Sequence, residues 1–288
     1  MITLVNYTVR GHTLTHADVS WEVAQTNERP EDYRVSLYAS EAEAGPYTPV
    51  AVDLVDRYMV RDNTTYPGMY RRTRWYKLVV RDARTSETAE TPPFCRRGDL
   101  DLEGAEMARQ FSLMVRRVHG ARHLLLPPRT FGAKCQSCRP LASGRQLTRR
   151  CPSCWGVGII GGYHYPVETW GTLDEAERTT QVSETQRTET THHRFQLEGS
   201  PEVVPDALLI DRHNRRFRII QIAPTSSYGV TIHHQGTAVL LPHTDIEYAI
   251  PVSWPEGRDL PPGVRENAHT LSGRGGARSA QSQPGGRR

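Results

Sequence analysis

The chain has 288 residues, 37% hydrophobic and 24% charged, a composition that suits folded material in two or three modest domains. No run of eighteen apolar residues occurs, so no helical membrane span is expected; the N-terminus "MITLVNYTVRGHT" lacks the basic start and apolar run of a secretory signal, which points to a reducing cytoplasm. The net charge of +4 sits at the end: residues 273–288 hold Arg274, Arg278, Arg287 and Arg288 and no acid, leaving 32 basic against 32 acidic residues elsewhere, which argues against a basic nucleic-acid-binding face on the folded part.

Residues 1–94 read as a series of short strands: "ITLVNYTV", "DVSWEVAQ", "DYRVSLYAS", "YTPVAVDL", "RYMVRD" and "RWYKLVVRDA". Each is rich in Val, Tyr, Trp or Thr, and turn residues such as Gly45-Pro46 and Pro67-Gly68 separate them. Val19, Trp21 and Val23 share one face, as do Tyr76, Leu78 and Val80. This regular spacing predicts an antiparallel sandwich. An inward Trp on an early strand and an inward Tyr on a late one resemble the core of a fibronectin type III-like module. That resemblance implies contact or spacing rather than chemistry.

Residues 95–130 predict a connecting helix and an extended linker. Over 99–119, Met107, Phe111, Met114, Val115 and Val118 recur at helical spacing and predict the buried stripe. Asp99 and Asp101 suit the helix start and Gly120 its end. Arg109, Arg116 and Arg117 are expected on the solvated face. Pro127-Pro128 forbids helix and leads extended into the next segment.

Residues 131–170 contain "CQSCRPLASGRQLTRRCPSCWGVG". Cys135 and Cys138 form one Cys-x-x-Cys pair, Cys151 and Cys154 a second, twelve residues on. This is the ligand spacing of a structural Zn²⁺ site, with each pair wrapping one side of the ion. Two disulfides would need an oxidising compartment. A redox Cys-x-x-Cys sits at a helix start after a strand, a context missing here. Four sulfurs leave no open coordination position, so the expected role is structural, not catalytic. Gly156 and Gly158 supply the backbone freedom a knuckle needs. "CPSCWGVG" resembles one Cys-x-x-Cys-x-Gly-x-Gly unit of the DnaJ-type cysteine-rich region. The likeness covers eight residues, "CQSCRPLASG" lacks the matching glycines, and it implies knuckle geometry at Cys151 and Cys154 without chaperone activity. Cys95 stands alone.

Residues 171–199, polar and rich in Thr and Glu, predict an extended arm. Residues 200–254 predict a small β-barrel or sandwich, with alternation at Leu208/Ile210, Phe217/Ile219, Val230/Ile232, Val239/Leu241 and Ile246/Tyr248/Ile250, and a hairpin around Asn214. Residues 255–288, Gly- and Pro-rich and without apolar periodicity, predict a disordered basic tail.

The fold expected is therefore mainly β, with one helix, a zinc-knuckle loop and a tail. "DALLIDRHNRRFRII" (206–220) resembles the β-cores of head–tail joining and tail-tube-associated proteins of tailed bacteriophages. With the fibronectin-like module, the zinc loop, the arm and the tail, the chain resembles a neck, connector, tail or baseplate subunit. The resemblance implies a non-enzymatic virion protein assembled in the host cytoplasm. It would dock on other virion proteins and on itself, with possible DNA contact through the Arg-containing tail, no membrane partner and no small-molecule substrate. The alternative is a zinc-ribbon nucleic-acid binder, favoured by Arg145, Arg149 and Arg150 beside the ligands. An enzyme is not expected: no Gly-x-Ser-x-Gly, phosphate-binding Gly-rich loop or His-Glu-x-x-His occurs. On strands, the adjacent pairs His192-His193 and His233-His234 would point to opposite faces and could not chelate one ion together.

Overall fold

The computed structural model describes residues 2–10, 16–24, 29, 32–64, 73–96, 101–138, 150–182, 187–227, 229–252 and 254. Pro67, Gly68, Asp99, Arg145, Arg149 and the tail from 255 lie outside the described residues. What is described is mainly β and belongs to one unit, Met1–Trp254.

The first eight strands are β1 (Leu4–Arg10), β2 (Ala17–Val23), β3 (Tyr33–Ser40), β4 (Thr48–Leu54), β5 (Met59–Asp62), β6 (Trp75–Asp82), β7 (Thr88–Glu90) and β8 (Phe94–Cys95). They form two antiparallel sheets, β1-β2-β5 and β4-β3-β6-β7, with β8 pairing an adjacent stretch of β6. Alternation decides what goes inside. Val19, Trp21 and Val23 meet Val35, Leu37, Ala39, Tyr76, Leu78 and Val80 in one core, each at most 3% exposed. One member of that core comes from far along the chain: Phe131.

Helix α1 spans Leu102–Met114 and continues as a wider turn over Val115–His119. Asp101 caps it, its carboxylate accepting from the backbone N–H groups of Glu103 and Gly104. The expected stripe is buried only in part: Val115 is fully buried and Phe111 half-buried. Gly104, Ala105, Ala108 and Val115 face inward, while Met107, Met114 and Val118 are 45%, 41% and 77% exposed. The reason is proximity. A Cβ on Gly104 would sit 2.9 Å from the carbonyl oxygen of Ser227, so the first turn of the helix lies too close to the strand beneath it for a larger residue there. Nor is Arg116 simply solvated: its Nη2 donates to Glu198 Oε2 at 2.8 Å, and Ser112 Oγ donates to the other oxygen of that buried carboxylate at 2.9 Å.

The remaining strands are β9 (Ala121–Leu126), β10 (Val167–Val182), β11 (Arg187–Glu198), β12 (Leu208–Ile210), β13 (Arg216–Ser227) and β14 (Val230–Leu240). They close a barrel in the order β10-β11-β14-β13-β12-β9. The barrel thus recruits chain from outside 200–254. The expected linker at 121–126 is a barrel strand, and the expected arm at 171–199 supplies most of two more. "LLL" at 124–126 and "LLI" at 208–210 explain the first change: Leu125 and Leu209 fill the barrel, while Leu124, Leu126, Leu208 and Ile210 are covered outside it. For the arm, Phe195 and Leu197 are inside the barrel. Only beyond Glu177↔His192 do β10 and β11 run on as a two-stranded ribbon to Val182↔Arg187.

Ile246, Tyr248 and Ile250 are not a strand. Ile246–Ala249 is a short 3₁₀ turn, placing Tyr248 and Ile250 on the outer face of β9 and β12. It also presents the carbonyls of Glu247 and Ile250 to the buried Arg216 guanidinium.

Candidate metal centre

The two cysteine pairs sit on facing turns. Lys134 bridges Ile159 in antiparallel fashion, and the Cys135 N–H donates to the Gly158 carbonyl at 2.9 Å. The second pair closes on itself, with the Trp155 N–H donating to the Cys151 carbonyl at 2.8 Å and Val157 N–H to Cys154 O at 2.9 Å. Positive φ at Gly156 (83°) and Gly158 (86°) bends the chain around the Cys154 sulfur, which accepts from both of their N–H groups. Trp155 is itself at φ 42°.

These turns bring Cys135, Cys138, Cys151 and Cys154 into one cluster, with all four sulfurs within 4.8 Å of one another. Cys135 and Cys151 Sγ are 3.5 Å apart, Cys138 and Cys154 Sγ 3.2 Å. A tetrahedral ion bound at about 2.3 Å per sulfur needs S···S separations of about 3.8 Å, whereas a disulfide needs about 2 Å. The cluster is therefore close to coordination spacing, and all five cysteines are free thiols. Each of the four is at most 4% exposed. Among the described residues, the apolar side chain packed on the cluster is Ile160.

Burial pushes the Cys138 and Cys154 thiols up. At Cys151, burial acts in the same sense. It is outweighed by the hydrogen bond accepted from the Ser153 N–H and by the neighbouring thiols, which bring this group down to about 7. A bound cation would favour the thiolate form at all four and displace their protons. Among the described residues no other group of three or more His, Cys, Asp or Glu is placed to hold an ion.

Around the cluster stand residues the sequence did not single out. Arg129, six residues before Cys135, and His164, ten after Cys154, both reach Asp56 of the sandwich. Arg129 and Asp56 form an ion pair, and His164 Nδ1 lies 3.8 Å from Asp56 Oδ1. His164 packs between the rings of Tyr58 (5.0 Å) and Phe131 (5.3 Å). Tyr163, Trp155 and Val157 join Leu124, Leu126, Leu208 and Ile210 on the barrel's outer face. Nothing local in the sequence marks these residues, because their partners are distant in the chain.

The other sequence candidates stay apart. Cys95 is half-buried in β8. Arg150 is exposed beside Cys151. Outside that set, His123 is buried in the barrel wall, its Nδ1 2.9 Å from the Ala121 carbonyl. His193 and His234 are buried; His192 and His233, their neighbours on the same strands, are half-buried. Comparison of the sequence with protein-family models and with curated proteins yields no match.

Proposed function

We propose that the protein is a non-enzymatic docking subunit stabilised by a structural zinc, and that it serves at the neck, connector, tail or baseplate of a tailed-phage particle. The observation that carries the reading is the cluster of four buried sulfurs. A soft, closed donor set suits zinc and leaves no position for substrate. Among its described residues the interior of the segment is the four sulfurs and Ile160, and a zinc ion contributes on the order of 10 kcal/mol to folding such a loop. The strand order β1-β2-β5 over β4-β3-β6-β7 supports the fibronectin type III-like reading of the sandwich. Docking is supported by two surfaces: the ribbon that β10 and β11 extend past the barrel, and the flank of α1 exposing Met107, Met114 and Val118. For these surfaces we propose other virion proteins and a neighbouring copy of the chain as partners, the latter in a ring or stack.

Elemental analysis of protein purified without chelator is expected to find one zinc per chain. Cys138→Ser should release it and expose residues 131–162 to protease while the two β-units stay folded; full stoichiometry in that variant would remove the ligand set. Electron microscopy of the concentrated protein should show rings or stacks. Exposed Arg150 beside the cluster favours a zinc-ribbon nucleic-acid binder as the second reading. DNA binding with a steep salt dependence, and no assembly, would replace the first reading with the second.

A further inference from the structure

We infer that the four-cysteine segment is the joint between the sandwich and the barrel, so that metal occupancy sets their relative orientation. The inference rests on the zinc reading above and adds a consequence to it. Among the described residues, no strand of the sandwich pairs with a strand of the barrel. The segment, by contrast, is anchored in both.

On the sandwich side, Phe131 joins the core that holds Tyr33 and Val35. The Arg129 guanidinium, 5% exposed, pairs with Asp56 on the loop between β4 and β5. The Tyr165 N–H donates to the Asp56 carbonyl at 3.3 Å, and the Arg57 guanidinium stacks 3.6 Å above the Tyr165 ring. On the barrel side, Tyr163 is 6% exposed against the leucines of β9 and β12, with Trp155 and Val157 beside it. The two entry points are tied together below the cluster, where the Arg129 N–H donates to Gly162 O and the His164 N–H to Pro127 O, at 2.8 and 2.9 Å.

What holds this wedge in shape is not secondary structure. Between Phe131 and Tyr163 the described backbone has turns and one isolated bridge, Lys134↔Ile159, and its interior is the four sulfurs and Ile160. A described interior of four thiols needs its ion to hold it together. Without the ion the anchors lose the geometry that presents them to both units. Away from this segment and its flanks, the described contact between the two is polar: Arg61 Nη2 donates to Ser200 Oγ at 3.2 Å, and the Arg61 guanidinium also feels the carboxylates of Glu198 and Glu168. Sandwich and barrel lie within one compact unit, but a polar contact of that kind does not by itself fix their orientation.

The test uses the full chain with spin labels at Val52 on β4 and Ile220 on β13, which are 53% and 54% exposed, attached through non-cysteine chemistry so that all five thiols stay intact. Pulsed electron resonance then reads the distance distribution between the units in three states: zinc-loaded, chelator-stripped, and stripped then re-supplied with zinc. Zinc content is measured on each sample, and amide exchange reports protection of β2, β3 and β6 in the sandwich and of β11, β13 and β14 in the barrel. The expected result is one narrow distribution with zinc, a width at least about twofold greater without it as for domains on a linker, and recovery on re-supply, with both β-units protected throughout. Loss of zinc with an unchanged narrow distribution would overturn the joint and leave the metal site standing. Loss of protection in either β-unit on stripping would also overturn it, since the ion would then be supporting that unit's own fold. A chain that never takes up zinc would overturn the metal reading itself.

Discussion

Val115 and Val118 lie three residues apart, yet the first is fully buried and the second 77% exposed. Sequence periodicity treats them alike, because both fall on the apolar side of the helix. The difference arises because the barrel contacts only part of that side. Val115→Asp should destabilise the fold by about 3 kcal/mol or more, the cost of burying an unpaired charge, and Val118→Asp by under about 0.5 kcal/mol, both read from urea unfolding of the monomer. His123 makes a second case at this scale. Burial holds its imidazole down at about 4, against an ordinary 6.5. The unfolded chain therefore binds the proton more readily. This contribution to stability is complete above pH 6.5 and is lost as pH falls through 6.5 towards 4. Between pH 7 and pH 5 it amounts to about 2 kcal/mol. His164, His193, His233 and His234 are shifted down by burial too and act in the same sense. His123→Gln should flatten the pH dependence of the denaturation midpoint relative to the parent, a comparison that cancels any acid release of metal common to both proteins. An unchanged slope would show that His123 does not titrate this way.

At the scale of elements, α1 shows propensity and packing in opposition. Replacing Gly104 by Ala should favour the helix by about 1 kcal/mol on propensity alone. A Cβ there would meet Asp101 Oδ2 at 2.5 Å, Ser227 O at 2.9 Å and the Val230 Cβ at 3.2 Å. Overpacking against backbone costs about 1–3 kcal/mol, and the capping hydrogen bonds of Asp101 are disturbed as well, so packing wins. Gly104→Ala is expected to lower the thermal midpoint, whereas a stabilised variant would mean that the helix can lift off the barrel at no cost. The ribbon strands show a similar competition. The segment 171–198 reads as polar, and most of it is. Leu173, Phe195 and Leu197 are enough to draw its base into the barrel, because alternate residues of a strand need satisfy only one face. Ile246–Ile250 fails in the other direction. Its period-two pattern fits a strand, but three apolar residues also suit a tight turn laid on an apolar surface, and Arg216 requires the carbonyls that the turn supplies.

For the molecule as a whole, the sandwich borrows Phe131 from the cysteine segment, so the unit read as residues 1–94 is completed by a residue beyond it. Phe131→Ala should cost the sandwich about 3 kcal/mol, in the usual range for a buried phenylalanine, read through the fluorescence of buried Trp21 in urea. A variant as stable as the parent would show that the sandwich core closes without it. The sequence alone determined the six longer strands of the sandwich, the existence and ends of the helix, the Asn214 hairpin and the four sulfurs as a set. Each rests on spacing within a few residues, where local backbone geometry dictates which side chains share a face. The face α1 buries, the recruitment of 121–126 and 171–198 into the barrel, and the Asp56–Arg129–His164 contacts were decided only by the tertiary structure. In each of those, the deciding partner lies tens of residues away, and nothing in the local pattern specifies which surface a segment will meet.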